Sequence, residues 1–172
     1  MPEEMPRRIV LVRHAKAARP DVEDHERPLA DRGRKDAPAL GRRLAGAGLT
    51  PDLALVSTAT RTRETWQLMA AELALRPKTV HEERLYGAGP GELLAVLAEV
   101  SDDVQDVVVV GHNPGIQALA AALAGEAEGD QLARMEAAFP TAAAAVLTFQ
   151  GGWKSIEPGV ARLTAFWTPR DA

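Results

Sequence analysis

The chain has 172 residues, long enough for one domain with a sizeable core. It is 46% hydrophobic and 26% charged with a formal net charge of -4, a balance that argues against disorder and gives no global attraction to nucleic acid or to an anionic membrane. It has no cysteine, which excludes disulfides, thiolate nucleophiles and cysteine-ligated zinc.

The opening Met1-Pro2-Glu3-Glu4-Met5-Pro6 has acids and prolines and no apolar stretch, so it is read as a flexible lead over 1–6 and not as a secretory signal. No apolar run approaches the length of a bilayer span, and a cytoplasmic location is expected. Ile9–Val12 reads as a short buried strand ending abruptly at Arg13-His14. A helix follows over Asp31–Ala47, with Ala37, Leu40 and Leu44 on one face, Gly48 as terminator and Pro38 near a kink or the first turn. Leu53–Val56 repeats the strand pattern and ends at Ser57-Thr58. Ala59–Leu73 carries Trp66, Met69 and Leu73 at helical spacing.

Pro77–Val80 is a further short strand and Glu92–Val100 a helix with Pro90 near its start. Val107–Val110 is an all-valine strand ending at Gly111-His112-Asn113. Asn113 is positioned to cap a helix running to Leu123, with Pro114 as its first residue. Residues 125–141 are the least regular stretch, read as a surface helix or loop. Ala144–Phe149 and Val160–Phe166 close the pattern as two strands around a Gln150-Gly151-Gly152 turn. Strands alternating with helices predict an α/β fold, a three-layer sandwich around a mostly parallel central sheet, with residues 1–172 as a single domain.

Three of these strands end in reactive residues, and in open parallel sheets ligands bind at the carboxyl ends of strands. Arg13, His14, Arg61 and His112 are therefore expected to converge on one electropositive pocket. Guanidinium forks match phosphoryl oxygens, a neutral imidazole is a competent nucleophile toward phosphorus, and neighbouring arginines disfavour its protonation. His112, if protonated, would donate to a phosphoryl oxygen. Two histidines also raise a metal site, but adjacent arginines repel a cation and no H-E-x-x-H pattern occurs, so no metal or organic cofactor is expected.

Leu11-Val12-Arg13-His14-Ala15-Lys16 resembles the signature of the histidine phosphatase superfamily, the phosphoglycerate-mutase-like fold. Ser57-Thr58-Ala59-Thr60-Arg61-Thr62-Arg63-Glu64-Thr65 is similar to its second motif and Val110-Gly111-His112-Asn113-Pro114 to its third. Arg27-Pro28-Leu29-Ala30-Asp31-Arg32-Gly33 resembles the segment after the first motif in the compact SixA-type phosphohistidine phosphatases. The resemblance implies His14 as the phosphorylated nucleophile, with Arg13, Arg61 and His112 in the phosphate pocket, Arg61 being preferred to Arg63. Asn113, within the third motif, is a further phosphate-binding candidate. Glu83 best resembles the general acid of the larger mutases, though Glu82 beside it is equally available and a phosphoramidate substrate needs no strong acid. Ala15 stands where the superfamily usually has glycine, a place where a methyl group can crowd the phosphate or alter the local backbone, and the alanine followed by lysine is read as a trait of the SixA-like branch.

The resemblance implies a phosphatase acting on phosphohistidine of a partner protein; the charge balance makes neither nucleic acid nor membrane an expected partner. A phosphatase or mutase for a small phosphorylated metabolite and a non-catalytic phosphate-binding module are the alternatives. His25, His81, Arg27 and Arg32 are read as surface or structural, and Trp66, Trp153 and Trp167 as packing residues.

Overall fold

The computed structural model describes residues 5–170. Residues 1–4 of the expected flexible lead lie outside that range, and the carbonyls of Met5 and Pro6 both accept from Gln105 Nε2, at 2.8 and 2.7 Å. The elements run β1 (Arg7–Arg13), α1 (Asp31–Gly46), β2 (Leu53–Ser57), α2 (Thr60–Ala70), β3 (Lys78–Glu82), α3 (Pro90–Ala98), β4 (Asp106–Gly111), α4 (Gly115–Leu123), β5 (Ala124–Ala127), α5 (Gln131–Ala137), β6 (Ala144–Phe149) and β7 (Ala161–Trp167). Among the described residues they form one seven-stranded sheet in the order β3-β2-β4-β1-β6-β7-β5.

The sheet is mixed. β3, β2, β4 and β1 are parallel neighbours, β5 is parallel to β7, and β6 runs antiparallel to both β1 and β7. The reversal has a local cause: residues 150–160 hold only a short 3-10 turn, with no crossover helix, so β7 returns along β6 as the second arm of a hairpin.

The inner strands read as continuous apolar runs because both of their faces are covered. In β1, Ile9 and Leu11 point to one side, against Leu93 and Leu97 of α3, Ile116 and Leu119 of α4 and Met135 of α5. Val10 and Val12 point to the other side, against Ala37, Leu40 and Leu44 of α1 and Trp66 and Met69 of α2. Gly48 ends α1 with φ +74°, where Gly48 N–H reaches the Ala45 carbonyl and Leu49 N–H that of Leu44, so the last carbonyls are satisfied by a left-handed turn. Pro38 lies inside α1, beyond its first turn. The stretch expected to be irregular contains β5, paired to β7, and α5, whose Met135 is fully buried. No helix of the described residues is long and apolar enough to cross a membrane.

Helices α1 and α2 cross at Gly41, where an added Cβ would overlap the Met69 backbone. Gly→Ala within a helix ordinarily stabilises by about 1 kcal/mol. Here the obstacle is main chain of a residue itself fully buried, so strain wins. Gly41→Ala is expected to destabilise the fold by about 1–3 kcal/mol, read as a lower urea midpoint at unchanged slope.

Candidate active site

Parallel pairing sets the carboxyl ends of β1, β4 and β2 side by side. Arg13 pairs with Gly111, Val110 with Val56, and the His14 N–H donates to the Gly111 carbonyl at 3.0 Å. His14 and His112 leave adjacent strands in the same direction, and their ring centroids are 5.4 Å apart. Arg61 enters from the first turn of α2.

His14 Nδ1 lies 2.8 Å from the Ala15 carbonyl oxygen. A carbonyl can only accept, so Nδ1 carries the proton and Nε2 keeps its lone pair. Burial, opposed in part by that carbonyl and reinforced by the charges of Arg61, Arg13 and Arg27, pushes the His14 pKa down to about 4. The ring is a neutral base at physiological pH. Ala15 fits without distortion: it is fully buried, its N–H donates to Thr65 Oγ1 at 3.0 Å, and its φ is negative. The left-handed residue nearby is Ala142, φ +60°, whose N–H donates to the carbonyls of both Arg13 and His14 and braces the end of β1.

His112 Nε2 is 2.8 Å from Ser57 Oγ, and Arg61 Nη2 is 3.4 Å from its Nδ1. Because a guanidinium only donates, Nδ1 is the acceptor and Nε2–H faces the serine. Burial, then the proximity of His14 and Arg61, pushes the His112 pKa down to about 3. The protonated His112 weighed from the sequence is thus replaced by a neutral ring in the free protein.

The guanidiniums of Arg13 and Arg61 are each anchored by a main-chain carbonyl. Arg13 Nη1 donates to the Phe139 carbonyl at 3.0 Å. Arg61 Nη1 donates to the Asp24 carbonyl at 2.8 Å and its Nη2 to Asp24 Oδ2 at 3.1 Å. The Nε–H of each is buried without a hydrogen-bond partner. Buried unpaired donors on cations are costly. Arg61 is 7% exposed whereas Arg63 is solvent-exposed. Asn113 spends its side chain on bracing: Nδ2 donates to the Phe139 carbonyl at 3.1 Å and Oδ1 accepts from Gln117 N–H at 3.1 Å. The helix starts at Gly115, one residue later than expected, and Pro114 takes the cap position in place of Asn113.

Glu83 makes no hydrogen bond to this cluster. It follows β3 at the same end of the sheet, but it is exposed, and among the described residues its carboxylate makes no hydrogen bond. Neighbouring Glu82 is committed to Arg84, which also holds Glu99. The carboxylate that does reach the cluster is Asp24, a residue with no strand-end or helical signal. Its Oδ2 accepts from Arg61 and, at 2.5 Å, from the Tyr86 hydroxyl, and its Oδ1 accepts from Arg27 Nη1 at 3.1 Å. Tyr86 sets its ring edge-on to both His112 and His25, with centroids 5.4 and 4.9 Å apart, and His25 Nε2 lies 2.8 Å from Thr58 Oγ1. His25, read from sequence as structural or surface, thus lies at the rim. Among the described residues no group of three or more His, Asp or Glu side chains could hold a metal ion.

Residues 9–93 match the family model of the histidine phosphatase superfamily, branch 1. The uncharacterised protein Rv1276c of Mycobacterium tuberculosis strain H37Rv is 41% identical over 162 residues, 92% of this chain and 100% of the relative. Among solved structures, a candidate phosphohistidine phosphatase SixA from Nakamurella multipartitia superposes with TM-score 0.87 at 31% identity, covering 99% of this chain and 100% of the other. A further candidate SixA, from Agrobacterium tumefaciens, gives TM-score 0.80 at 34% identity, covering 96% and 100%. Fold and strand-end residues together define an α/β protein of the phosphoglycerate-mutase-like kind. The chain belongs to the histidine phosphatase superfamily.

Proposed function

We propose that this protein is a phosphatase that carries its phosphoryl group on His14 and takes it from phosphohistidine on a protein. The observation that carries the reading is the tautomer of His14: Nδ1–H is tied to the Ala15 carbonyl, which leaves a neutral Nε2 on a ring that feels the charges of Arg61 and Arg13. Nε2 attacks phosphorus, the bond to the leaving group breaks, and the electron pair departs with that group. Arg13 and Arg61 neutralise the equatorial oxygens through this step. Water then attacks phospho-His14, releasing inorganic phosphate and restoring the imidazole. An incoming phosphoryl dianion also favours protonation of His112, which then donates to it. Asn113 serves by fixing the Phe139 carbonyl that it shares with Arg13, and Glu83 assists the water step from the solvent side.

The choice of a protein-borne substrate is supported by the short connections around the site. Residues 14–30 are the longest of them, and among the described residues no inserted domain stands over the histidines. Likeness over the whole chain to structures described as candidate phosphohistidine phosphatases supports it further. The reading keeps the cytoplasmic location expected from the sequence. The test is a competition series: a phosphohistidine-bearing protein against sugar phosphates and nucleotides, with the pure protein as catalyst. Preference for phosphohistidine is the expected result. Preference for a sugar or nucleotide phosphate assigns a metabolite phosphatase, and no turnover of any phosphoester or phosphoramidate assigns a binding module.

The pH dependence follows from His14. Protonation removes the lone pair, and the ring takes up its proton only near pH 4, so kcat/KM is expected to stay high down to about pH 5 and to fall as pH drops through about 4. An acid limb near the ordinary histidine value of 6.5 would contradict the burial assigned to His14.

A further inference from the structure

Asp24 and Tyr86 are not needed to hold a phosphoryl group, yet they stand at its edge. Asp24 carries a negative charge into a cluster whose purpose is to attract one. Its side chain is 55% exposed, and Arg27 donates to Oδ1 while Arg61 and Tyr86 donate to Oδ2. Those three donors, the Tyr86 hydroxyl first, hold the carboxyl well below the usual carboxylate range. A carboxylate kept ionised in this way is a poor proton donor for an alkoxide leaving group. It is instead a good acceptor for a cation. Tyr86 adds a ring that is 38% exposed and locked through its hydroxyl. An anionic acceptor next to an aromatic wall matches a flat cation.

Resting on the phosphohistidine reading above, we propose that Asp24 and Tyr86 form the leaving-group subsite and select the protonated imidazole of the substrate. The nitrogen of phosphohistidine that bears no phosphoryl group carries a proton in the cationic form, and that N–H donates to Asp24 while the ring lies against Tyr86. As His14 Nε2 forms its bond to phosphorus, the substrate's P–N bond breaks and its electron pair returns to the ring nitrogen. The imidazolium becomes a neutral imidazole that keeps its other proton, so no proton transfer accompanies departure. A leaving group that brings its own proton makes no demand on Glu83 as an acid.

The experiment measures kcat/KM of the full chain, Asp24→Asn and Tyr86→Leu on a phosphohistidine peptide and on p-nitrophenyl phosphate, whose leaving group is neither cationic nor a donor. Both side chains are exposed, so folding is not at stake. Asp24→Asn removes the charge and keeps the ring. Tyr86→Leu removes the ring together with its hydroxyl bond to Asp24, and Tyr86→Phe, which loses only that bond, separates the two. The selectivity ratio for phosphohistidine over p-nitrophenyl phosphate is expected to fall about ten-fold or more in Asp24→Asn and in Tyr86→Leu. An unchanged ratio overturns the subsite, and so does an equal loss on both substrates, which would make Asp24 a positioning residue for Arg61. Failure of the unmodified protein to turn over phosphohistidine while it hydrolyses p-nitrophenyl phosphate is a separate result, which removes the proposed substrate and the subsite with it.

Discussion

His14→Ala is expected to lower turnover of p-nitrophenyl phosphate by at least about 10⁴-fold while leaving the thermal unfolding midpoint nearly unchanged. The size follows from the removal of a covalent nucleophile: oriented water would have to replace an imidazole held on a rigid strand end. The small effect on stability follows from placement. The ring is bonded through its own neighbour's carbonyl and touches the aromatic edge of the site, whereas the strand is held by Ile9, Val10, Leu11 and Val12 in the two cores. A neutral buried base contributes no ion pair to the fold. Residual turnover above about one part in a hundred would place the phosphoryl acceptor elsewhere.

The second large effect belongs to Arg61. Arg61→Ala is expected to lower kcat/KM about 10²–10³-fold, the range found when one donor to a developing oxyanion is removed. Arg61→Lys is expected to recover only part of it, since a point charge cannot reproduce the fork that reaches Asp24 with two nitrogens. A second readout separates electrostatics from packing. Arg61 is one of the cations that disfavour imidazolium at His14, so its removal stabilises the protonated ring and raises its pKa. The acid limb of kcat/KM in Arg61→Ala is therefore expected to move upward from about 4. A variant that loses rate with no movement of that limb would place Arg61 too far from His14 for the role assigned to it.

The parts of this architecture legible in the sequence were those written in burial. Val107–Val110 reads as an inner strand because both faces of β4 are covered, and its end at His112 follows from the same run. Arg13, His14, Arg61 and His112 were found because each lies at or just after such an end. The direction of β6 was not legible, since a strand buried on both faces has the same composition whichever way it runs. Residues 125–141 hid α5 because seven residues with one fully buried side chain make too short a period to detect.

Asp24 and Tyr86 were hidden for a different reason. They are 62 residues apart and meet through the path of the loop over residues 14–30, and the short turn that carries Asp24 buries no residue at all. Nothing in its hydrophobic pattern marks it. Glu83 shows the converse: its position after β3 is readable, but which way an exposed side chain turns is set by neighbours such as Arg84, which engages Glu82 instead. Asn113 reads as the cap in the sequence, but Pro114 takes that position and Asn113 reaches the first turn from one residue before it; that bond, with the one to Phe139, uses up the amide that the family motif offers to phosphate.

All of these roles depend on phosphorus becoming bonded to His14 Nε2. Mass spectrometry of protein quenched within milliseconds of mixing with substrate tests this directly. The expected spectrum has one added phosphoryl group on the peptide containing His14, labile to acid, absent in His14→Ala, and decaying at the rate of phosphate release. A fully active protein that carries no phosphoryl group at any quench time, or carries it on another residue, would contradict the account.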